Sequence, residues 1–239
     1  MLSRSLKKVI KSILPQKLIG AIKTWGRPSD PKGLFDSIYN SNSWRGVESK
    51  SGRGSDSVQA KDIIINLPQL LERYEIRSIL DIPCGDLNWM KHVDLKNVNY
   101  IGGDIVEKLI DSNRNRFSQT TKTFSVLDLM KDDLPKVDLI FCRDCLVHFS
   151  NADIALALKS IVKSKSRYLL TTSFYDRSDN KDIVTGRWRP INLQLSPFLF
   201  PEPIDRIIEN CTEGAGKFSD KSLMLWSIES IANWGSSAR

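Results

Sequence analysis

The stretch "SILDIPCGDLNWMKHV", residues 78–93, joins the end of an apolar strand to a turn rich in polar groups. The apolar run ends at Asp81, and a Pro-Cys-Gly turn then leads into a segment with a helical pattern at 86–92. Turns from a buried strand into a helix commonly bind a nucleotide-like ligand. This stretch therefore predicts both an α/β fold and a ligand site at the end of its strand.

Strand-like and helix-like segments alternate along the chain that follows. The pattern predicts strands at 77–81, 99–103, 122–127, 137–142 and 167–173, and helices at 86–92, 105–116 and 152–163. Such alternation favours a doubly wound, mostly parallel Rossmann-like sheet with helices on both faces. The segment "KSLMLWSIESI", 221–231, predicts one more strand, placed as an antiparallel edge of that sheet.

Two helix boundaries have clear signals. Ser150 and Asp153 form a capping-box-like pair before the apolar run of the helix at 152–163. Upstream of the sheet, a loop-rich region at 28–57 precedes a helix that runs through residues 63–71.

The net charge of +7 is concentrated in the first 30 residues. Residues 1–29 contain seven basic side chains and no acidic one, so the rest of the chain has 28 of each sign. We therefore expect a basic amphipathic helical arm at 1–30 and a domain at 31–239. Through residues 1–27 the arm suits an anionic membrane surface, or it packs on the domain with its basic face in solvent.

The balanced charge of the domain argues against a nucleic-acid partner. Four cysteines without a disulfide spacing indicate a reducing compartment, so a cytoplasmic location is expected, with membrane association left open. Cys142 and Cys145 form a C-x-x-C pair, which suits redox or zinc chemistry, but no second pair completes four ligands. No metal site is predicted.

The acidic residues at the strand ends indicate which ligand binds. Ligands of open α/β sheets bind beyond the carboxyl ends of the strands. Asp104 follows Asp81 by 23 residues, close to the roughly 20 typical of an acid that binds ribose hydroxyls. The turn carries one glycine where a dinucleotide site needs three, and the carboxylate of Asp86 would repel a phosphate. S-adenosylmethionine, which has a sulfonium, an ammonium and no phosphate, fits both features.

The segments "ILDIPCGDLNWM", "YIGGDI" and "FSVLDLMKDDLPKVDLIFCRDCLVHFS" resemble the ordered motifs of class I S-adenosylmethionine-dependent methyltransferases over about residues 50–230. An uncharacterised bacterial subgroup with "SGxGS" upstream and "WRPINL…PF…P" downstream is the most similar; here these are 51–55 and 188–203. The resemblance suggests that the upstream loop reaches the cofactor, with a flexible connector as the alternative.

The resemblance also implies roles for the residues at the strand ends. Asp104 would bind the ribose, Asp128 the adenine amino group, and Leu129 the adenine ring. The role of Asp86 is less defined, because "PCGD" departs from the usual glycine-rich turn. The full cofactor set is Asp81, Cys84, Gly85, Asp86, Asp104, Asp128, Leu129 and Arg143.

An oxygen acceptor must lose its proton, and His148 is the candidate base because its ordinary pKa of about 6.5 suits that role. Asp144 competes for the role or orients His148, and a packed loop histidine remains the structural alternative. The long segment at 171–203 is predicted to bind the acceptor through Trp188, Arg189 and Asn192, as a sugar would require, or to act as a closing lid.

The sequence therefore predicts a methyltransferase that acts on an oxygen of a glycan, sugar or small molecule. The alternatives are a non-catalytic cofactor-binding or membrane-surface interaction module, and a nicotinamide-dependent oxidoreductase, which the single glycine disfavours. The oligomeric state and the pathway are left open.

Overall fold

The computed structural model describes residues 27–237. Within that range seven strands form one sheet with the order β3-β2-β1-β4-β5-β7-β6. The strands are β1 (Ser78–Asp81), β2 (Asn99–Asp104), β3 (Lys122–Val126), β4 (Leu139–Cys142), β5 (Tyr168–Phe174), β6 (Asp205–Ile208) and β7 (Lys221–Ser227). The strand order reverses between β1 and β4, so the carboxyl ends of these two strands diverge into a crevice there.

The strands β1 to β5 are parallel, and β7 runs antiparallel to both β5 and β6. All four residues of β4 and six of the seven in β7 are buried, as expected for strands covered on both faces. The predicted fold class is confirmed. The antiparallel strand lies one position in from the edge, because β6 pairs with its outer side.

Helices cover both faces of the sheet. They are α1 (Pro31–Asn40), α2 (Ser57–Arg73), α3 (Glu107–Phe117), α4 (Asn151–Lys163) and α5 (Ile228–Ser237). In α2, the buried residues Ala60, Ile63, Leu67, Leu70 and Leu71 follow the helical period, and Pro68 lies inside the helix. The Ser150 hydroxyl accepts a hydrogen bond from the Asp153 N–H at 3.2 Å and caps α4, as predicted.

Two predicted elements are wrong in part. The helix expected at 86–92 is a turn that ends in one 3₁₀ turn, Met90–His92. Leu87 has φ of 56°, a left-handed conformation that an α-helix cannot contain. The strand expected at 221–231 stops at Ser227, because the Ser227 hydroxyl accepts the Ser230 N–H at 3.0 Å and starts α5.

The basic arm falls almost entirely outside the described residues. Arg27, the last basic residue of the arm, is described. Its Nε atom donates to the buried Asp153 carboxylate at 2.5 Å. No helix in the described part of the chain is long and apolar enough to cross a membrane.

Candidate active site

A cavity of about 1050 Å³ lies beyond the carboxyl ends of β1, β2 and β4 and opens to solvent. Its lining includes all eight residues expected to bind the cofactor, together with His148 and Asp144. α1 and the loop after it cover the cavity with aromatic side chains that sequence reasoning missed, Phe35, Tyr39 and Trp44. The spacing of Phe35 and Tyr39, four residues apart on one helix face, was the available signal.

The turn after β1 is attached to its neighbours through Gly85. Its N–H donates to Asp104 Oδ2 at 3.2 Å, and its carbonyl accepts from Asn113 Nδ2 at 2.7 Å. Gly85 has φ of 55°, and a Cβ there would lie 2.5 Å from the Ser51 hydroxyl. Glycine is therefore required both by the backbone conformation and by the close approach of the upstream loop.

The upstream loop is held over the cavity by Asp86. Both oxygens of its carboxylate accept from the Ser49 hydroxyl, at 2.8 and 2.9 Å. The Asp86 N–H donates to the Ser51 hydroxyl at 3.2 Å, and Ser51 and Ser55 line the cavity. The structure thus places the "SGxGS" loop at the site, as the resemblance suggested.

Two buried carboxyl groups lie at the ends of β1 and β2. Asp81 accepts a hydrogen bond from the Tyr100 hydroxyl at 2.5 Å, and Asp104 accepts from the Val106 N–H at 3.0 Å. Burial raises the pKa of Asp81 to about 7 and that of Asp104 to about 6, although these hydrogen bonds oppose the change. Both groups therefore change charge close to neutral pH.

At the end of β3, Asp128 and Leu129 form the side of the cavity farthest from β4. Asp128 Oδ1 accepts from the Met130 N–H at 2.9 Å, and burial raises the pKa of its carboxyl group. Leu129 is buried and presents an apolar surface to the cavity beside that carboxyl. Cys84 is also buried, and Asn113 Nδ2 lies 3.7 Å from its sulfur.

His148 lies on a 3₁₀ turn after β4 and lines the cavity. Its hydrogen bond defines which ring nitrogen carries the proton. Its Nδ1 lies 2.9 Å from the Arg187 carbonyl oxygen. Because a carbonyl oxygen can only accept, Nδ1 carries the proton in the neutral ring, and the lone pair of Nε2 accepts no hydrogen bond from the described residues. Burial lowers the pKa of His148 to about 4, so the ring is neutral at pH 7. Trp44 stacks on it with ring centroids 4.6 Å apart.

Asp144 belongs to a buried network of four charges. Its Oδ2 accepts from Lys221 Nζ at 2.6 Å, while Glu209 Oε2 accepts from Arg143 Nη2 at 2.8 Å and lies 3.2 Å from Lys221 Nζ. Burial opposes ionisation of Asp144, but the charges of Lys221 and Arg143 prevail and lower its pKa to about 2. Asp144 is therefore a stable carboxylate and a poor proton acceptor.

Sequence reasoning missed Glu209 and Lys221. A lysine at the start of the apolar segment "KSLMLWS" was the available signal, since a buried lysine needs an acidic partner. Nothing in the sequence indicates that this partner is the Asp144 carboxylate at the cavity.

A second cavity, of about 880 Å³, adjoins the first and also opens to solvent. Asp144 and His148 line both cavities, as do Trp44, Ser51 and Ser55. Its outer wall is an aromatic cluster of Phe174, Trp188 and Phe218, in which the rings of Trp188 and Phe218 meet edge-to-face at 4.9 Å. The structure therefore brings Trp188 to the site.

Arg189 and Asn192, the other two predicted acceptor-binding residues, line neither cavity. Arg189 is buried and donates to the Leu146 carbonyl at 2.9 Å. Asn192 is also buried, and its Nδ2 donates to the Tyr175 and Arg177 carbonyls at 3.3 Å. These side chains bind backbone carbonyls because the loop that carries them packs into the protein.

The same loop fixes the position of the histidine. The Gly186 N–H donates to the His148 carbonyl at 2.8 Å, and the Arg189 N–H donates to the Val147 carbonyl at 3.1 Å. Together with the Arg187 carbonyl on Nδ1, these contacts hold the His148 turn from three points. The long segment after β5 therefore orients His148, whatever else it contacts.

The family model described as "Methyltransferase domain" matches residues 79–164. These residues form a methyltransferase domain. They contain the turn after β1, the ends of β2 to β4 and the His148 turn. The match confirms the expected family. It does not identify the bacterial subgroup. No curated protein matches the chain.

Solved structures with the same fold include other methyltransferases. The N-methyltransferase NodS from Bradyrhizobium japonicum WM9, in complex with S-adenosyl-l-homocysteine, has a TM-score of 0.57 at 14% identity, over 80% of this chain and 97% of that one. Magnesium protoporphyrin IX methyltransferase from Synechocystis PCC 6803, with bound SAM, has a TM-score of 0.55 at 15% identity, over 84% and 98%.

Human N-acetylserotonin methyltransferase, in complex with SAM, has a TM-score of 0.55 at 16% identity over 91% of this chain. The chain spans 64% of that human enzyme, which is less than two thirds. At these identities the likeness shows the shared fold.

Proposed function

We propose that the domain is an S-adenosylmethionine-dependent methyltransferase and that the first cavity binds the cofactor. The acidic lining supports this assignment: Asp81, Asp86 and Asp104 would repel a phosphate, and they suit a ligand with hydroxyl groups and a positive centre. The three similar structures hold SAM or S-adenosyl-l-homocysteine as their ligand. When bound, S-adenosylmethionine supplies a methyl group activated by a positively charged sulfur.

Each part of the cofactor has candidate residues in the cavity, following the roles that the resemblance implies. Asp104 is the candidate for the ribose hydroxyls, because each of its oxygens keeps a lone pair after accepting one backbone N–H. Asp128 and Leu129 are the candidates for adenine. Asp81, Cys84 and Gly85 are the candidates for the methionine part, as the resemblance implies.

We propose that the acceptor atom is an oxygen of a sugar, glycan or other small molecule. The observation that carries this proposal is the free Nε2 of a neutral His148, placed where the two cavities meet. An acceptor hydroxyl must lose a proton, and Nε2 can take it. The similar structures include an N-methyltransferase and a porphyrin methyltransferase, so they do not choose the acceptor atom.

Calorimetric titration with S-adenosylmethionine, with NAD as the control, tests the cofactor. Saturable binding of S-adenosylmethionine alone is the expected result, and Asp104→Asn should weaken it about tenfold or more, because hydrogen bonds to a charged acceptor are lost. Binding of NAD, or of neither compound, would refute the proposal.

Variants of His148 test the base. His148→Ala should lower turnover by a factor of roughly 10² or more and leave cofactor affinity nearly unchanged, because the ring acts on the acceptor proton. Unchanged turnover would show that His148 is not the base.

A further inference from the structure

The second cavity has features that the cofactor does not explain. It extends away from the strand ends, between the glycine-rich loop and the aromatic cluster of Phe174, Trp188 and Phe218. Trp188 is 42% exposed, so one part of its ring is free for a ligand. Exposed aromatic rings beside a few fixed polar groups are typical of small-molecule sites.

Two of the polar groups that line both cavities are hydrogen-bond acceptors. His148 presents the lone pair of Nε2, and Asp144 presents a carboxylate that is 26% exposed. A ligand that meets both groups must bring two donors. The two residues are four apart and both line the junction of the cavities, so two neighbouring donors on one ligand can meet both.

The charges around this cavity cancel. Arg53 and Lys221 balance Asp144 and Glu213 among its lining residues, and behind them Arg143 pairs with Glu209. A site without net charge offers no long-range attraction to an ammonium or a carboxylate. The Asp144 carboxylate in particular is already paired with Lys221 Nζ at 2.6 Å. The lining therefore favours an uncharged ligand.

The glycine-rich loop keeps the carboxylate accessible. A Cβ on Gly54 would lie 2.7 Å from Asp144 Oδ2 and 3.5 Å from Lys221 Nζ. Any side chain at position 54 would therefore occupy the space beside the carboxylate. The loop thus approaches the ionic pair closely and still leaves Asp144 open to the cavity.

We propose that the second cavity binds the methyl acceptor and selects an uncharged vicinal diol, with one hydroxyl on His148 and its neighbour on Asp144. This inference rests on the proposed methyltransferase function and adds the substrate class. Both sugars and catechols carry this chemistry, and the aromatic wall can stack on the face of either one. Asp144 acts as a positioning residue for the second hydroxyl, and Lys221 holds it in the ionised state.

The test measures binding to the full chain saturated with S-adenosylhomocysteine, so it does not depend on turnover. Ligand-observed NMR and calorimetry would compare three matched series. The first contains methyl α-mannopyranoside and its deoxy derivatives, the second catechol, guaiacol and phenol, and the third the charged compounds tyramine and benzoate. The first two series distinguish a sugar source from a catechol source.

We expect a diol to bind, and loss of either adjacent hydroxyl to weaken binding about tenfold or more. Asp144→Ala, which removes the acceptor, should reduce the affinity for the diol to that for its monohydroxyl analogue and leave the analogue unaffected. Trp188→Ala should weaken binding in both neutral series and preserve cofactor binding, because Trp188 lines the second cavity and not the first.

Three results would overturn the proposal: equal binding of diols and monohydroxyl analogues, preferred binding of a charged compound, or no binding of any diol to protein that binds S-adenosylhomocysteine. The last result leaves the methyltransferase function in place, whereas failure to bind S-adenosylhomocysteine itself would reject that function first.

Discussion

Replacement of Glu209 by glutamine should strongly destabilise the protein without changing its shape. The Glu209 side chain is 1% exposed, and its Oε2 atom lies 2.8 Å from Arg143 Nη2 and 3.2 Å from Lys221 Nζ. Those two cations are themselves only 4% and 5% exposed. In Glu209→Gln the amide oxygen can still accept their hydrogen bonds, so the change removes a charge and little else.

The size of the expected loss in stability follows from the charges that remain buried in the variant. Two buried cations would share one carboxylate, Asp144, which is 26% exposed and lies 3.7 Å from Arg143. Removal of one partner from a buried ion pair costs about 3–5 kcal/mol. The new amide nitrogen adds to this cost, since Glu209 Oε1 has no hydrogen-bond partner among the described residues. We expect the free energy of unfolding to fall by about 3–5 kcal/mol.

Urea denaturation at pH 7 measures this change. Glu229→Gln is the matched control, because Glu229 is exposed and its replacement should change stability by less than about 0.5 kcal/mol. The double variant Glu209→Gln with Lys221→Met removes one charge of each sign, and it should be more stable than the sum of the single changes predicts. A loss below about 1 kcal/mol in Glu209→Gln, or strictly additive effects, would refute the ionic account.

Three further outcomes follow from the site. Since the pKa of Asp81 rises from an ordinary 3.8 to about 7 on folding, the stability linked to its protonation is present below pH 4 and lost as pH rises through 7. Asp81→Asn should therefore raise the free energy of unfolding at pH 8 by up to about 4 kcal/mol and leave it unchanged at pH 4, and equal effects at both values would contradict this. Gly54→Ala should displace the Asp144 carboxylate, so turnover should fall while calorimetry shows unchanged cofactor affinity; unchanged turnover would show that the added methyl group does not displace the carboxylate. An NMR titration should show the His148 ring protonating near pH 4, and an ordinary value near 6.5 would mean that the surroundings of the ring do not lower its pKa.

The fold was predictable because its signals are local. β1 to β5 were each found within about two residues, since buried strands of a parallel sheet read as short apolar runs between turns. β6 was missed because "DRII" is short, half charged and lies at the sheet edge. The helix at 86–92 was a false prediction because apolar spacing cannot reveal the left-handed conformation of Leu87.

The two parts of the site were not equally predictable. All eight expected cofactor residues line one cavity, because they follow strand ends that the topology brings to one edge. The acceptor side depends on long-range contacts between segments far apart in the sequence. The Asp144 pair with Lys221 spans 77 residues, and Arg189 was assigned to the acceptor although its guanidinium binds the Leu146 carbonyl.

The site combines groups whose pKa values are shifted in opposite directions. The pH below which cofactor binding weakens is therefore different from the pH below which the base is protonated. The cofactor carboxyls Asp81 and Asp104 have pKa values raised to about 7 and about 6, whereas that of His148 is lowered to about 4. As pH falls, the carboxyls take up protons first, and the cavity loses the negative charge that suits a positively charged ligand.

The acid limb of kcat/KM for S-adenosylmethionine should therefore fall near pH 6 to 7 and report the cofactor carboxyls of the free enzyme. The acid limb of kcat with saturating cofactor should lie well below this, because bound cofactor favours the charged form of the carboxyls and His148 titrates near pH 4. Asp104→Asn should remove the part of the first limb near pH 6 and leave the second unchanged. If both profiles fall at the same pH, cofactor binding and proton removal depend on the same group. That result would exclude separate roles for the cofactor carboxyls and His148.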